Sequence, residues 1–223
     1  MVKEKTKKLY SVITGDIVKS SKLSLDQHKQ LVKVMRSCSR EIPKIFPDAL
    51  RYEPELFRGD SWQVLIKKPE LAFSIALFYR AYLKAKMQLD SIDARMAISI
   101  GTVDFVEASF GIGDAYKISG KALDKKGRRK IKFVSDILPN SNVLDLIIQN
   151  TDFISSRWTS RQSIIALLSL QNYSQKTIAS KLRITQSAVS QQMDASGWTI
   201  VAQNVAYFKS VVLGISMSVK TIK

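Results

Sequence analysis

Apolar and polar positions change period along this chain, and each change marks an element. Residues 9–14 (LYSVIT) are a short apolar run that stops at Gly15-Asp16, which predicts a buried strand entering a tight turn. Leu25, Leu31, Val34, Met35, Cys38 and Ile42 then recur at three-and-four spacing, so a long helix follows, ended by Pro43 and Pro47. Residues 51–57 and SWQVLI at 61–66 are strand-like and flank Arg58-Gly59-Asp60. This reads as a hairpin turning at Gly59, with Asp60 at its tip. Pro69 opens a second helix that reaches about Gln88. Residues 93–100 and 102–106 read as strands around Gly101, residues 114–124 as a helix, and IKFV at 131–134 as one more strand.

Strands mixed with helices and an antiparallel hairpin predict an α+β fold, with helices packed on one sheet in a ferredoxin-like order. From Asn140 onward the pattern is helical. The chain therefore divides into an α+β domain over 1–138 and an all-α domain over 139–223.

Charge sharpens this division. The 223 residues include 35 Lys and Arg against 19 Asp and Glu, a net charge of +16 that favours an anionic partner such as nucleic acid. Residues 1–124 hold 21 basic and 15 acidic side chains, whereas residues 125–223 hold 14 and 4, so the smaller part is the more basic one. Six of the eight residues from Lys125 to Lys132 are basic, which suits a solvated loop, an interdomain hinge or a DNA-backbone contact.

Single occurrences exclude whole classes of chemistry. Cys38 is the only cysteine and His28 the only histidine, which removes an intramolecular disulfide, Cys/His zinc sites and a Ser-His-Asp triad. A reducing compartment, the cytoplasm, is expected. The most apolar stretch, residues 71–83, is interrupted by Arg80 and is shorter than a membrane span, so no membrane partner is expected.

The strongest local signal lies in residues 174–196. Ser174 is an N-cap for a helix over 175–182, with Ile178 and Leu182 facing inward and small Ala179 where a second helix must come close. Thr185 caps that second helix, whose inward residues are Ala188, Val189 and Met193. Gln186, Ser187, Ser190 and Gln191 share the opposite face. The spacing resembles the helix-turn-helix of bacterial regulators and sigma-like factors, with residues 159–171 as the supporting helix. Arg183 stands where such motifs often carry Gly to accept a left-handed conformation, at a cost of about 1 kcal/mol. The resemblance implies a recognition helix reading double-stranded DNA with those four polar side chains, while Lys176, Lys181 and Arg183 meet phosphates. The stripe Trp198, Val201, Val205, Phe208, Val212 and Ile215 suits either core or pairing with a second copy, and a homodimer would match palindromic half-sites.

Asp16 and Asp60 converge if their strands are neighbours, and paired carboxylates suit Mg²⁺ with a nucleotide. The series TGDIVKS, RGDSWQ, ARMAISIGTV and GIGDAYKISGKALD, followed by the helical motif, is similar to the SatD family over nearly the whole chain. Its first four motifs also resemble the palm-type catalytic domain of class III nucleotide cyclases. That resemblance implies Asp16 and Asp60 as metal-binding aspartates, with Lys117 and Lys121 where cyclases carry an Asn and an Arg for ribose and phosphate. Leu56 stands where a base-reading Lys is usual.

The expected function is a DNA-binding transcription regulator with a cyclase-like, nucleotide-sensing N-terminal domain and a degenerate catalytic site. The alternative is an Mg²⁺-dependent nucleotidyl cyclase or nucleotide-polymerising enzyme regulated by its helix-turn-helix.

Overall fold

The computed structural model describes residues 8–221 apart from 53, 58, 59, 90, 108, 109 and 126. Its strands are β1 (Tyr10–Val18), β2 (Glu55–Phe57), β3 (Ser61–Ile66), β4 (Asp93–Gly101), β5 (Phe105–Glu107), β6 (Phe110–Ile112) and β7 (Ile131–Val134). Five of them form a mixed sheet in the order β2-β3-β1-β4-β7, antiparallel except for β4 with β7, while β5 and β6 pair separately. The helices are α1 (Leu25–Ile45), α2 (Ala72–Met87), α3 (Asp114–Asp124), α4 (Ser141–Ser155), α5 (Ser160–Leu170), α6 (Gln175–Leu182), α7 (Gln186–Ala195) and α8 (Trp198–Thr221). The mixed α+β architecture is the expected one, and the connectivity β1-α1-β2-β3-α2-β4 sets the fourth strand beside the first, as in a split βαβ unit.

Five local expectations are corrected. β1 does not turn at Gly15-Asp16: it pairs through both residues to Val18, and the chain turns at left-handed Lys19 (φ 61°). Gly15 is there for the sake of its neighbour, because Trp62 lies opposite it and a Cβ on Gly15 would sit 2.4 Å from the indole Cζ2. That indole is buried and stacked on Tyr79 at 5.3 Å, so it has no room to yield. Gly15→Ala is therefore expected to destabilise the protein by about 1–3 kcal/mol, measured as a shift in urea midpoint at unchanged slope.

Next, α1 runs past Pro43 to Ile45, because a proline in the last turn removes only one intrahelical bond and the Phe46 N–H still donates to the Ile42 carbonyl at 2.8 Å. Leu25, counted in the apolar stripe, is 72% exposed at the first turn behind a Ser24–Gln27 capping box. Finally, only residues 55–57 of the 51–57 run are strand, with an isolated bridge from Leu50 to Ile66, and the turn expected at Gly59 lies outside the described residues. The strand expected over 102–106 begins at Phe105, since the Thr102 carbonyl instead accepts the Ala115 N–H at the start of α3.

α1 and α2 cover one face of the sheet through Ile13, Ile17, Met35, Phe73 and Ile98, and α3 covers the other, where Ala115 meets Val12 and Leu65. Behind α2 lies a third layer built from α4, α5 and α8. Trp158, Leu167, Val201, Phe208 and Val212 belong to the same apolar core as Phe73, so this core crosses the 138/139 position where a division was expected. Phe208 holds the layers together, its ring 5.5 Å from Phe73 and 5.4 Å from Phe133. Sandwiching explains the composition of α2: a helix covered on both sides must be apolar around most of its circumference. Among the described residues no helix is long and apolar enough to cross a membrane.

Arg80, the cation in the middle of that apolar helix, is fully buried. Its guanidinium grips Asp93 of β4 bidentately, with Nε and Nη2 donating at 2.9 and 2.8 Å, while Nη1 donates to Asp152 Oδ1 at 2.7 Å and Ser155 Oγ at 2.8 Å on α4. The other Asp152 oxygen accepts the Lys130 N–H at 2.8 Å. Burial by itself lowers the Arg80 pKa, but Asp93 and Asp152 outweigh burial and raise it above the ordinary value. The cluster ties sheet, central helix and outer layer at one point.

Candidate functional site

α5, α6 and α7 close around a small apolar cluster of Ile165, Ile178, Ala179, Val189 and Met193. Thr159 and Gln162 form a capping box on α5, the Ser174 hydroxyl accepts from Thr177 N–H, and the Thr185 hydroxyl accepts from Ala188 N–H at 3.1 Å. Between α6 and α7 the chain reverses at Arg183, which adopts a left-handed conformation (φ 54°, ψ 46°). The following Ile184 N–H donates back to the Ala179 carbonyl at 3.1 Å, a Schellman closure that turns the Ile184 side chain toward the cluster. Ala179, which carries only a methyl group, and Val189 of α7 are buried in the same cluster.

This closure fixes which face of α7 is free. Gln186, Ser187 and Gln191 are exposed and Ser190 is half-buried, whereas Val189 and Met193 are buried. Lys176, Lys181 and Arg183 are exposed as well, and the Lys181 ammonium sits 4.5 Å over the Tyr173 ring. A helix start whose outward side chains all donate or accept hydrogen bonds, next to three cations, can meet a polyanion with base-like edges. The stripe on α8 from Trp198 to Ile215 packs into the chain's own core. What α8 leaves outside is Ile200, Tyr207 and Leu213, and α4 likewise exposes Val143, Leu146 and Phe153.

At the far side of the sheet, Asp16 lies on β1 opposite Ser61 and Arg95. Its carboxylate is held by Arg95, whose Nε donates to both oxygens at 3.0 and 3.2 Å and whose Nη2 makes a further short bond. That hydrogen bonding raises the Arg95 pKa above its ordinary value against the effect of burial. The Asp60 carboxylate instead accepts from Ser20 Oγ at 2.7 Å and Ser61 Oγ at 3.3 Å. The two aspartates thus have separate partners, Asp16 within β1 and Asp60 just before β3.

Lys117 and Lys121 are exposed one turn apart on α3, on the side away from Ala115, Ser119 and Ala122, which face the sheet. Ser119 holds that packing with a 2.8 Å hydrogen bond to Thr14. The cations near Arg95 come from the basic run 125–132, which the sequence offered as a loop, a hinge or a DNA-backbone contact rather than as part of this site. Lys132 has its pKa lowered by burial and by the charges of Arg95, Arg129 and Lys125, and its ammonium caps the end of α3 at the Ala122 carbonyl, 3.0 Å away. The basic run 125–132 was the visible signal, but only the pairing of β7 beside β4 brings it to Arg95.

Mg²⁺ requires several oxygen ligands in near-octahedral order. Asp16 and Asp60 have the right donor type, yet Asp16 is neutralised by the Arg95 fork, and no group of three or more metal-ligating side chains occurs among the described residues. Here Asp16 is engaged by Arg95 and Asp60 by Ser20 and Ser61, so the pair would hold a cation only by exchanging those partners.

Fold and site together define a mixed α+β protein whose outer helical layer presents a capped, polar-faced helix. The chain belongs to the SatD family, whose model matches residues 10–211. A search of curated proteins finds no match. Among solved structures, the crystal structure of the guanylyl cyclase Cya2 aligns with a TM-score of 0.40 at 12% identity, covering 67% of this chain and 79% of that one, a distance at which likeness assigns no activity.

Proposed function

We propose that this protein is a transcription regulator of the cytoplasm that binds double-stranded DNA by docking α7 in the major groove. The observation that carries this is the outward set Gln186, Ser187, Ser190 and Gln191 at the start of a helix clamped from behind by α5 and α6. Helix-turn-helix units place such side chains against base edges, and glutamine can pair bidentately with adenine. Charge supports the reading: from Arg161 to Lys223 seven basic residues face a single acid, Asp194. Two copies, meeting through the outward faces of α4 and α8, would present two such helices to a palindromic site.

The test is fluorescence anisotropy on a duplex enriched from a random pool, with a scrambled duplex beside it. Gln186→Ala and Gln191→Ala are each expected to cost about 1–3 kcal/mol of discrimination between the two duplexes. Lys181→Ala should weaken both duplexes alike. If the glutamine and lysine variants all leave duplex binding as in the wild type, the reading is wrong.

For the α+β unit Lys132 and Lys125 beside Arg95 and Arg129 favour a nucleotide held through its phosphates, which would compete with Asp16 for Arg95 and with Asp145 for Arg129. Binding of a fluorescent GTP or ATP analogue is expected without Mg²⁺ and weakened about tenfold by Lys132→Glu. The neighbouring positions of Asp16 and Asp60 favour a second reading, the nucleotidyl cyclase or polymerising enzyme. Formation of a product from nucleoside triphosphates with Mg²⁺ or Mn²⁺, lost in Asp16→Ala, would establish it.

A further inference from the structure

A cleft of about 480 Å³ opens where the α+β unit meets the outer helical layer, between the end of α1, the start of α2, the end of α5 and the face of α8. We propose that this cleft binds a small amphipathic anion: an apolar or aromatic body carrying one carboxylate, sulfonate or phosphate. Its volume is in the range of small-molecule sites. Phe46, Leu71, Leu170, Trp198 and Val205 supply apolar walls suited to such a body.

The polar groups choose the sign of charge. Lys68 and Lys209 both line the cleft, and no acidic side chain does. Lys68 Nζ donates to the Pro47 carbonyl at 3.0 Å, a neutral partner that leaves its charge uncompensated, and Lys209 has no carboxylate partner among the described residues. An anionic ligand would be attracted by both lysines, while a cation would meet two like charges.

The cleft is also placed to be felt elsewhere. Trp198 packs against the main core and against the small cluster beneath α6 and α7, and its ring is 6.1 Å from Trp158. An occupant pressing on Trp198 bears on the junction of α7 with α8. Its consequence for DNA rests on the DNA-binding reading, but the cleft itself does not.

The experiment uses the full chain with 1-anilinonaphthalene-8-sulfonate as probe, followed by dye fluorescence and by quenching of tryptophan emission. Saturable binding to one site is expected, with the uncharged N-phenyl-1-naphthylamine about tenfold weaker. Lys209→Glu, which reverses the rim charge, and Ala202→Phe, which fills the cleft, should each weaken the sulfonate about tenfold while circular dichroism melting stays as in the wild type. No saturable binding, or binding untouched by both variants, overturns the site. Equal affinity for the charged and uncharged probes overturns the anion assignment. Duplex affinity is then measured with and without saturating probe. Equal values overturn the coupling through Trp198, whereas absence of DNA binding in both, with probe binding intact, removes the DNA reading and leaves the cleft standing.

Discussion

Arg80→Met is expected to cost about 3–5 kcal/mol, a large share of the total stability of a domain, because it leaves the Asp93 and Asp152 carboxylates facing a buried site without their cation. For a chain of this size that corresponds to a fall in melting temperature of roughly 10 °C or more. The size follows from geometry rather than from the attraction of one pair: four donated hydrogen bonds at 2.7–2.9 Å are lost together, and the groups that accepted them are buried. The companion variant R80M/D93N/D152N removes both uncompensated charges and is expected to recover about half of the loss, since neutral amides are cheaper to bury than carboxylates. Urea unfolding of the three proteins decides. An Arg80→Met protein as stable as the wild type would mean that the cluster does not bind the outer layer to the sheet.

The affinity for duplex DNA should fall steeply with salt, and the slope counts the copies bound. If Lys176, Lys181 and Arg183 each meet one phosphate, as the proposed function requires, a monomer loses roughly 40-fold and a dimer with six contacts roughly 10³-fold between about 50 and 200 mM salt. Anisotropy titrations at several salt concentrations give the exponent directly. A slope near zero would show that the three cations do not meet phosphates and would remove the support that charge lends to the proposed function. A slope corresponding to three contacts would keep DNA binding and exclude a dimer on the duplex.

Local signals were legible wherever a residue's own chemistry decides. Residues 114–124 and 131–134 take the element and bounds read from their pattern, and Ser174, Thr185 and the left-handed Arg183 stand where caps and a reversal were expected. Where a partner decides, the reading went astray. Gly15 looks like a turn glycine until the Trp62 ring lies across it, and Pro43 looks like a stop until the last turn is seen to need only one bond less. For the candidate sites, the outward face of α7 was visible as helical spacing. The Arg95–Lys132 neighbourhood was not, because the two residues are 37 positions apart and meet only through parallel pairing of β4 with β7.

By itself the sequence determined the mixed α+β class, the basic C-terminal part, the periodic faces of α6 and α7 and the absence of the usual cysteine and histidine chemistry, since these depend on residue type and local spacing. Only the tertiary structure decided that one apolar core joins α1, α2 and the sheet to α4, α5 and α8, that Arg80 is buried between two aspartates, that Asp16 is held by Arg95, and that a lysine-rimmed cleft forms at the joint. Each of these joins residues far apart in the chain, and no local periodicity encodes which distant surfaces will exclude water together.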